Sequence, residues 1–389
     1  MGILTQTGDL DAHALFNAAA RECGLESYSD DGIHERFVDL IGKFNEFGKI
    51  PEHALEPAIA ELKRAVEIRL EIARDWAEHP EILDEKIIKP IFVVGNARAG
   101  TTITQSLLTL DEGHRTPRFV DALHPSPPPG FDPDADAIAL RASDAYVTFM
   151  MEREPRLLIA HPYHDKLGMA EAEDEFIHSL DFGSVYPLHF QRVPTVPTTF
   201  PPADPLRAFA FHKNMLRHLQ WKRPTRRWVG KGINHQYNIG PLLQTFDDAV
   251  AVWIHRPPEQ LVASFIAIYE IVYRPMYGDR FSMSSEDMVT ALRSGVDHIL
   301  NDPAVNDARI SHIRFPDLMK DPIAVIASVY EQHGLDFTAR YEARLKKRLA
   351  DPAHRVDRHG KFHYSGSDYG IDDARMKRIF ADYSERFGL

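Results

Sequence analysis

The sequence predicts an α/β protein whose core is a doubly wound parallel sheet. Four short apolar runs alternate with helical patterns along the chain, at 91–94, 227–230, 249–254 and 310–315. Continuous apolar strands separated by helices are typical of a parallel sheet that is covered on both faces. Ligands of such sheets bind at the carboxyl ends of the strands. The cations at or after these ends, Arg98, Lys231 and Arg256, are therefore expected to share one site.

Length, charge and cysteine content exclude several classes of protein. A chain of 389 residues with 44% hydrophobic residues can bury one large core with a helical addition. The formal net charge of −12 and the absence of a Lys/Arg-rich run argue against a broad nucleic-acid-binding face. An anionic ligand must then be held by a local cluster of cations. The single cysteine, Cys23, excludes an internal disulfide framework and a cysteine-based zinc site.

The amino-terminal residues carry no targeting signal that the sequence pattern reveals. Residues 1–10 have neither a cationic head nor an apolar centre, and no later run approaches about 20 apolar residues. We therefore expect a cytoplasmic protein without a membrane span.

Residues 1–88 are predicted to form a helical region packed on the core. Apolar residues recur there at close to helical spacing, at Leu55, Ile59, Leu62, Val66 and Ala73. Two roles stay open for this region. It can be a scaffold or a dimer surface, which allows a homo-oligomer, or it can cover the pocket of an acceptor.

The α/β domain is predicted to span residues 89–389, with a helical and proline-rich insertion at about 134–205. Prolines cluster at 124–133 and 187–205, where regular helix or strand interiors are not expected. The insertion either buries hydrophobic surface or forms a lid over an acceptor.

A glycine loop follows the first strand and opens a helix. Its residues run from Gly95 through Arg98 and Gly100 to Thr101 and Thr102. The glycine spacing is that of a P-loop-like nucleotide site, in which backbone N–H groups and a helix amino terminus hold phosphate oxygens. Thr101 occupies the position of the lysine that normally reaches the β- and γ-phosphates, which argues against ordinary ATP or GTP chemistry.

Two motifs together resemble the sulfotransferase family. The run Arg98-Ala99-Gly100-Thr101-Thr102 resembles its R/K-S-G-T-T loop, and the strand ending at Arg256, with Ser264 eight residues on, resembles its second donor motif. The resemblance implies 3′-phosphoadenosine-5′-phosphosulfate as the donor. The loop residues Arg98, Ala99, Gly100, Thr101 and Thr102 would hold its 5′-phosphosulfate, and Arg256 and Ser264 its 3′-phosphate.

Two further segments extend the resemblance. Residues 227–235 are similar to the family's W-V-L-K-x-P-x-H segment, which makes Lys231 and His235 candidate catalytic residues, although Ile233 replaces the usual proline. Residues 355–364 look like its R-x-G-K-x-H-Y segment. By analogy, Arg358, Gly360 and Lys361 would close over the 3′-phosphate, with a solvated basic loop as the alternative.

Sulfuryl transfer suits these groups, since oriented cations and backbone donors stabilise the charge on the moving group and on the leaving phosphate. Arg98 and Lys231 would serve this role, and no metal is required because the donor has no β,γ-phosphate pair to bridge. His235 is the first candidate for the base, and Asp121 and His124 are its rivals. The carboxylates of Glu171, Glu173, Asp174 and Glu175 are interpreted as a solvated helix face.

The resemblance thus predicts an enzyme that transfers a sulfuryl group to a hydroxyl, with an amine as the less favoured acceptor, on a small organic or lipid-like molecule. Six aromatic residues could line its acceptor pocket or pack in the core: Phe119, Tyr146, Phe149, Tyr163, Phe176 and Phe182. Two other functions stay open at this point, an ATP-dependent phosphotransferase and a catalytically inactive nucleotide-binding or regulatory protein.

Overall fold

In the computed structural model, five parallel strands form the sheet, in the spatial order β2-β3-β1-β4-β5. The structure describes residues 2–47, 50, 52–183, 204–277 and 284–389. The strands have the bounds β1 Ile91–Val94, β2 His114–Arg115, β3 Arg227–Gly232, β4 Val250–His255 and β5 Ile310–Arg314.

Helices flank the strands along the whole described chain. The α-helices are α1 Ala12–Cys23, α2 Asp31–Phe47, α3 Glu52–Glu78, α4 Thr101–Leu108, α5 Phe119–Leu123, α6 Pro133–Arg153, α7 Arg156–Ala160, α8 Asp174–Ser179, α9 Pro205–Gln220, α10 Ile239–Thr245, α11 Val262–Tyr277, α12 Ser285–Asn301, α13 Phe315–Lys320, α14 Pro322–Gln332, α15 Ala339–Ala350, α16 Asp373–Ile379 and α17 Ala381–Phe387. Short 3₁₀ helices lie at Glu26–Tyr28, Pro80–Asp84, Pro162–Met169, Asn234–Tyr237, Pro258–Gln260, Pro303–Asn306, Pro352–His354 and Gly366–Tyr369.

The predicted doubly wound sheet is confirmed. Alternate residues of the central strand β1 enter two hydrophobic clusters: Phe92 and Val94 pack with residues of α9 to α12, and Ile91 and Val93 with residues of α4, α14 and α15. Every residue of β1, β3 and β4 is buried, as expected for strands covered on both faces.

Of the predicted strands, β1 has the predicted bounds, whereas β3 extends to Gly232 and β4 spans Val250–His255 instead of 249–254. Two larger differences concern β2 and the end of β5. The edge strand β2 was not predicted, because two residues carry no periodic signal. Phe315 does not end the last strand but begins α13, whose second residue is Pro316. Proline is favoured at this place in a helix, since its missing N–H would have no partner in the first turn.

The amino-terminal helices α1 to α3 form a third hydrophobic cluster, which also includes Phe182. Charged side chains connect this cluster to the remainder of the chain: Arg36 and Arg69 both pair with Asp181, at 2.6 and 2.8 Å. Among the described residues, no helix is both long and apolar enough to cross a bilayer.

The predicted insertion at 134–205 contains α6, α7, the 3₁₀ helix Pro162–Met169, and α8. Asp132 caps the amino terminus of α6, and Pro133 occupies its first position. The second proline-rich stretch of the sequence, 187–205, lies almost wholly outside the described residues.

Candidate functional site

The glycine loop between β1 and α4 is shaped by backbone that favours glycine. Gly95 has a φ of 139°, and a Cβ built there would lie 2.6 Å from the backbone oxygen of Ile254. Gly100, with a φ of 92°, is the N-cap of α4 and offers no side-chain bond to its first turn. In the described part of the chain, no side chain caps the first-turn N–H groups, and uncapped N–H groups of this kind hold the anionic ligand in phosphate loops.

Arg98, Ser264 and Arg256 come together beside this loop. Arg98 adopts a left-handed φ of 65°, and its Nε donates to Ser264 Oγ at 3.2 Å. Arg256 Nη1 donates to the backbone oxygen of Arg98 at 2.8 Å, which ties the end of β4 to the loop. The residues from the two best-matched motifs thus form one cationic cluster at the carboxyl end of the sheet.

Lys231 lies near the end of β3, on the other side of the loop. Only 3% of its side chain is exposed, and its Nζ is 3.4 Å from Thr102 Oγ1 and 2.5 Å from Glu173 Oε1. A small cavity lies beside it, lined by Thr102, Phe119, His161, Tyr163, His164, Glu171, Glu173, Phe176 and Lys231. The loop helix and the insertion meet at this cavity, as expected of an acceptor site adjoining a phosphate loop.

The interpretation of residues 171–175 as a solvated face is wrong. Asp174 and Glu175 are fully buried, and Glu173 bonds to Lys231. Glu171 pairs with Lys166 through one carboxylate oxygen. Charge alone gave no sign of burial, although the apolar pair Phe176-Ile177 directly after these acids was a signal that this helix enters the core.

Glu173 is the functional candidate that the sequence interpretation missed. It lines the cavity, and its Oε2 is buried without a hydrogen-bond partner in the described part of the chain. A buried carboxylate oxygen without a donor is costly unless a ligand supplies one. The hydroxyl of an acceptor is such a donor.

Two histidines of the insertion also line the cavity. Burial and the positive charge of Lys231 lower the pKa of His164 to about 4, and burial, with His164, Arg98 and Lys231 nearby, places the pKa of His161 well below its usual range. Both rings are therefore neutral at pH 7. They add hydrogen-bonding groups to the cavity without adding charge.

His235 does not line this cavity. Its side chain is fully buried, its Nε2 is 2.8 Å from Asp174 Oδ2, and its ring packs against Phe92 and Phe209. Burial lowers the pKa of His235 to about 3. The structure thus places the first candidate for the base behind the cavity wall, where its contacts are those of a packing residue.

Asp121 and His124 line a different cavity, of about 300 Å³, on the side of α5 and α6. Arg118 binds both carboxylate oxygens of Asp121 at 2.9 Å, and its hydrogen bonds and charge lower the pKa of Asp121 despite complete burial. His124 contacts Arg64 at 3.4 Å, and burial lowers its pKa to about 4. The geometry favours a structural role for Asp121 and brings neither residue to Lys231.

The carboxy-terminal segment approaches the loop through Phe362, whose ring centroid is 5.5 Å from the guanidinium of Arg98. Arg358 bonds to Asp165 and to the backbone oxygen of Pro162 instead of contacting Arg256. Gly360 has a φ of 114°, and Lys361 is exposed. A phosphate-binding role for Arg358, Gly360 and Lys361 therefore stays a prediction.

The six aromatic candidates separate into different environments. Phe119, Tyr163 and Phe176 line the cavity, and the rings of Phe119 and Phe176 meet edge to face at 5.0 Å. Phe182 packs instead against Phe37 of the amino-terminal cluster. The cavity beside Lys231 consequently has aromatic walls around a small set of polar groups.

The fold and site together define an α/β protein with a glycine loop and a cationic cluster at the carboxyl end of a parallel sheet and a cavity beside that loop. Residues 90–339 match the model of the sulfotransferase family. This match covers more than half of the chain, and the protein belongs to that family.

Known proteins similar to this chain support the assignment. The omega-hydroxy-beta-dihydromenaquinone-9 sulfotransferase of Mycobacterium tuberculosis is 25% identical over an alignment of 284 residues, and the alignment covers 68% of this chain and 67% of that protein. Sulfotransferase STF9 from Mycobacterium avium superposes with a TM-score of 0.77 and 26% identity, over 97% of both chains. Sulfotransferase STF1 from Mycobacterium tuberculosis has the same fold, with a TM-score of 0.75, 21% identity and coverage of 96% and 98%.

We expect Glu175 to make the free energy of unfolding depend on pH. Burial raises its pKa to about 8, and it accepts a hydrogen bond from the N–H of Asn234 at 2.8 Å. A raised native pKa gives stability that is present below the unfolded pKa of about 4.3 and is lost as pH rises through 8. Between these values the free energy of unfolding should fall as pH rises, by on the order of 1 kcal/mol per pH unit from this group.

Glu175→Gln should remove this dependence on pH. The free energy of unfolding of the variant should therefore rise relative to that of the wild type as pH increases from 5 to 8. Urea unfolding of both proteins at pH 5, 6.5 and 8 measures the difference, and the exposed Glu56→Gln is the control. If the free energies of unfolding of the two proteins differed by the same amount at all three pH values, the raised pKa of Glu175 would be contradicted.

Proposed function

We propose that this protein transfers a sulfuryl group from 3′-phosphoadenosine-5′-phosphosulfate to a hydroxyl of a small apolar or lipid-like acceptor. The observation that carries the proposal is the arrangement around the loop, with Arg98, Arg256 and Ser264 on one side and Lys231 with Glu173 on the other. The first group suits an anionic donor, and the second suits an acceptor that must lose a proton.

The donor site fits the two anionic ends of this nucleotide. The free N–H groups at the start of α4 and the guanidinium of Arg98 would bind the 5′-phosphosulfate. Arg256 and Ser264 would bind the 3′-phosphate, and Arg358, Gly360 and Lys361 are proposed to close over it. Thr101 occupies the position at which nucleotide loops carry the lysine that binds the β- and γ-phosphates. This position is therefore uncharged here, which suits a donor without a triphosphate.

Glu173 is the proposed base. The acceptor oxygen forms a bond to sulfur while the bond from sulfur to the bridging phosphate oxygen breaks, and that electron pair leaves on adenosine 3′,5′-bisphosphate. The hydroxyl proton moves to Glu173 Oε2, which is buried and has no hydrogen-bond partner among the described residues. Lys231 and Arg98 stabilise the charge on the sulfuryl oxygens and the leaving phosphate.

The acceptor class follows from the walls of the cavity. Phe119, Tyr163 and Phe176 offer apolar contact around the polar groups, which suits a hydroxyl on an apolar body. The mycobacterial relative is named as a sulfotransferase of omega-hydroxy-beta-dihydromenaquinone-9, a hydroxylated lipid. We therefore propose an alcohol of this general kind.

Heat denaturation with ligands tests the donor assignment. Adenosine 3′,5′-bisphosphate at about 100 times its Kd should raise the free energy of unfolding by about 2.7 kcal/mol and shift the melting temperature upward. ATP with magnesium at the same concentration should give a much smaller shift. Protection by ATP alone would favour a phosphotransferase and would overturn the proposed donor.

A further inference from the structure

Three consecutive carboxylates bond to the end of β3 and to the residues that follow it. Glu173 Oε1 bonds to Lys231 Nζ at 2.5 Å, Asp174 Oδ2 to His235 Nε2 at 2.8 Å, and Glu175 Oε1 to the N–H of Asn234 at 2.8 Å. We call residues 173–175 with these three partners the acidic clamp. It fixes the start of α8 against the end of β3 and the 3₁₀ helix Asn234–Tyr237.

The strand is adapted to this clamp on both sides of Lys231. A Cβ built at Gly230 would collide with Asp174 Oδ2 and with the ring of Phe92. A Cβ built at Gly232 would lie 2.6 Å from the ring of His235. Glycine at both positions lets Asp174 and His235 press directly against the backbone of β3.

The Asp174–His235 pair is enclosed in the core. Both side chains are fully buried, and the rings of His178 and His212 stand at 5.9 and 6.4 Å from that of His235. Burial raises the pKa of Asp174 well above its usual value and lowers that of His235 to about 3. Both shifts favour the uncharged form of each group, as expected for a hydrogen-bonded pair enclosed in the core.

We propose that His235 is a positioning residue, which acts through Asp174 to hold the neighbouring Glu173 in the direction needed to accept the acceptor's proton. This role rests on the proposed function. Asp174 is the residue next to Glu173, so a shift of the Asp174 side chain moves the backbone that carries the base. A misplacement of about 1 Å at a reacting group can reduce the rate about 100-fold.

Two amide substitutions of His235 separate positioning from proton transfer. The amide of glutamine reaches about as far as Nε2 and can donate to or accept from Asp174, whereas that of asparagine reaches about as far as Nδ1. Neither amide can act as a base at neutral pH. His235→Gln should therefore keep kcat within a few fold of the wild type, and His235→Asn should lower it about 100-fold.

The measurements are kcat and KM for transfer of ³⁵S-labelled sulfate to a long-chain primary alcohol, and protection against heat by adenosine 3′,5′-bisphosphate. Protection should be equal in both variants, because the donor residues are untouched. His218→Asn is the matched control, since His218 is also fully buried but its Nε2 bonds to the backbone oxygen of Pro125. The His218→Asn variant should have a lower free energy of unfolding than the wild type and an unchanged kcat.

Equal loss of kcat in His235→Gln and His235→Asn would overturn the positioning role in favour of a direct role for the imidazole. Wild-type kcat in His235→Asn would overturn it as well. A wild type that binds the bisphosphate but sulfates no alcohol or phenol would instead contradict the proposed function, and the positioning role would fall with it.

Discussion

Glu173→Gln should lower kcat by about 10²- to 10⁴-fold, the usual contribution of a positioned general base. Glutamine keeps the size of the side chain and an oxygen for Lys231 Nζ, which lies 2.5 Å from Glu173 Oε1 in the wild type. It cannot accept a proton at neutral pH. The loss should therefore appear in kcat, with the affinity for adenosine 3′,5′-bisphosphate nearly unchanged.

Glu171→Gln is the matched control. Like Glu173, Glu171 lines the cavity, pairs with a lysine (Lys166) through Oε1 and has a buried Oε2 without a partner among the described residues, but the lysine of Glu173 is the one that contacts Thr102 of the loop. Its effect on kcat should be much smaller than that of Glu173→Gln. Hydrolysis of the labelled donor in the absence of an alcohol gives a second readout, in which water is the acceptor. If both variants lost activity equally, the assignment of the base to Glu173 would be wrong.

Arg256→Ala should weaken the binding of adenosine 3′,5′-bisphosphate by about 10- to 100-fold, since hydrogen bonds to charged groups contribute about 1.5–3 kcal/mol. Arg256 follows the fully buried strand β4 and also holds the loop through the backbone oxygen of Arg98, 2.8 Å away. Removal of its guanidinium takes away one phosphate ligand and one support of the loop.

Titration calorimetry with the bisphosphate measures this change, and Arg226→Ala is the control. Arg226 precedes β3, at the opposite end of the strands, and pairs with Asp336 on the surface. Its substitution should leave donor affinity unchanged. If both substitutions changed the affinity for the bisphosphate by the same small amount, the assignment of Arg256 to the donor site would be wrong.

The sheet and the donor cluster could be predicted because their signals are local in the sequence. Apolar runs marked β1, β3, β4 and β5, and the parallel sheet then required Arg98, Lys231 and Arg256 to meet at one edge. The glycine loop could be recognised from its glycine spacing, because its backbone requires glycine: Gly95 packs on Ile254 with no room for a side chain.

The acceptor side could not be predicted in the same way, because burial there depends on contacts between distant segments. Residues 171–175 are acidic enough for a solvated face, yet Lys231, Asn234 and His235 meet them from about 60 positions away. His235 was chosen as a base because it follows Lys231 in the chain. Its ring turns into the core, and the carboxylate that reaches the cavity comes from the insertion.

Transfer of ³⁵S-labelled sulfate from 3′-phosphoadenosine-5′-phosphosulfate to a panel of long-chain, prenyl and phenolic alcohols tests the central claim most directly. We expect a labelled sulfate ester of at least one apolar alcohol, formed in equal amount with adenosine 3′,5′-bisphosphate and strongly reduced in Glu173→Gln. Tight binding of the bisphosphate without any labelled ester, or equal transfer by the wild type and Glu173→Gln, would contradict the account.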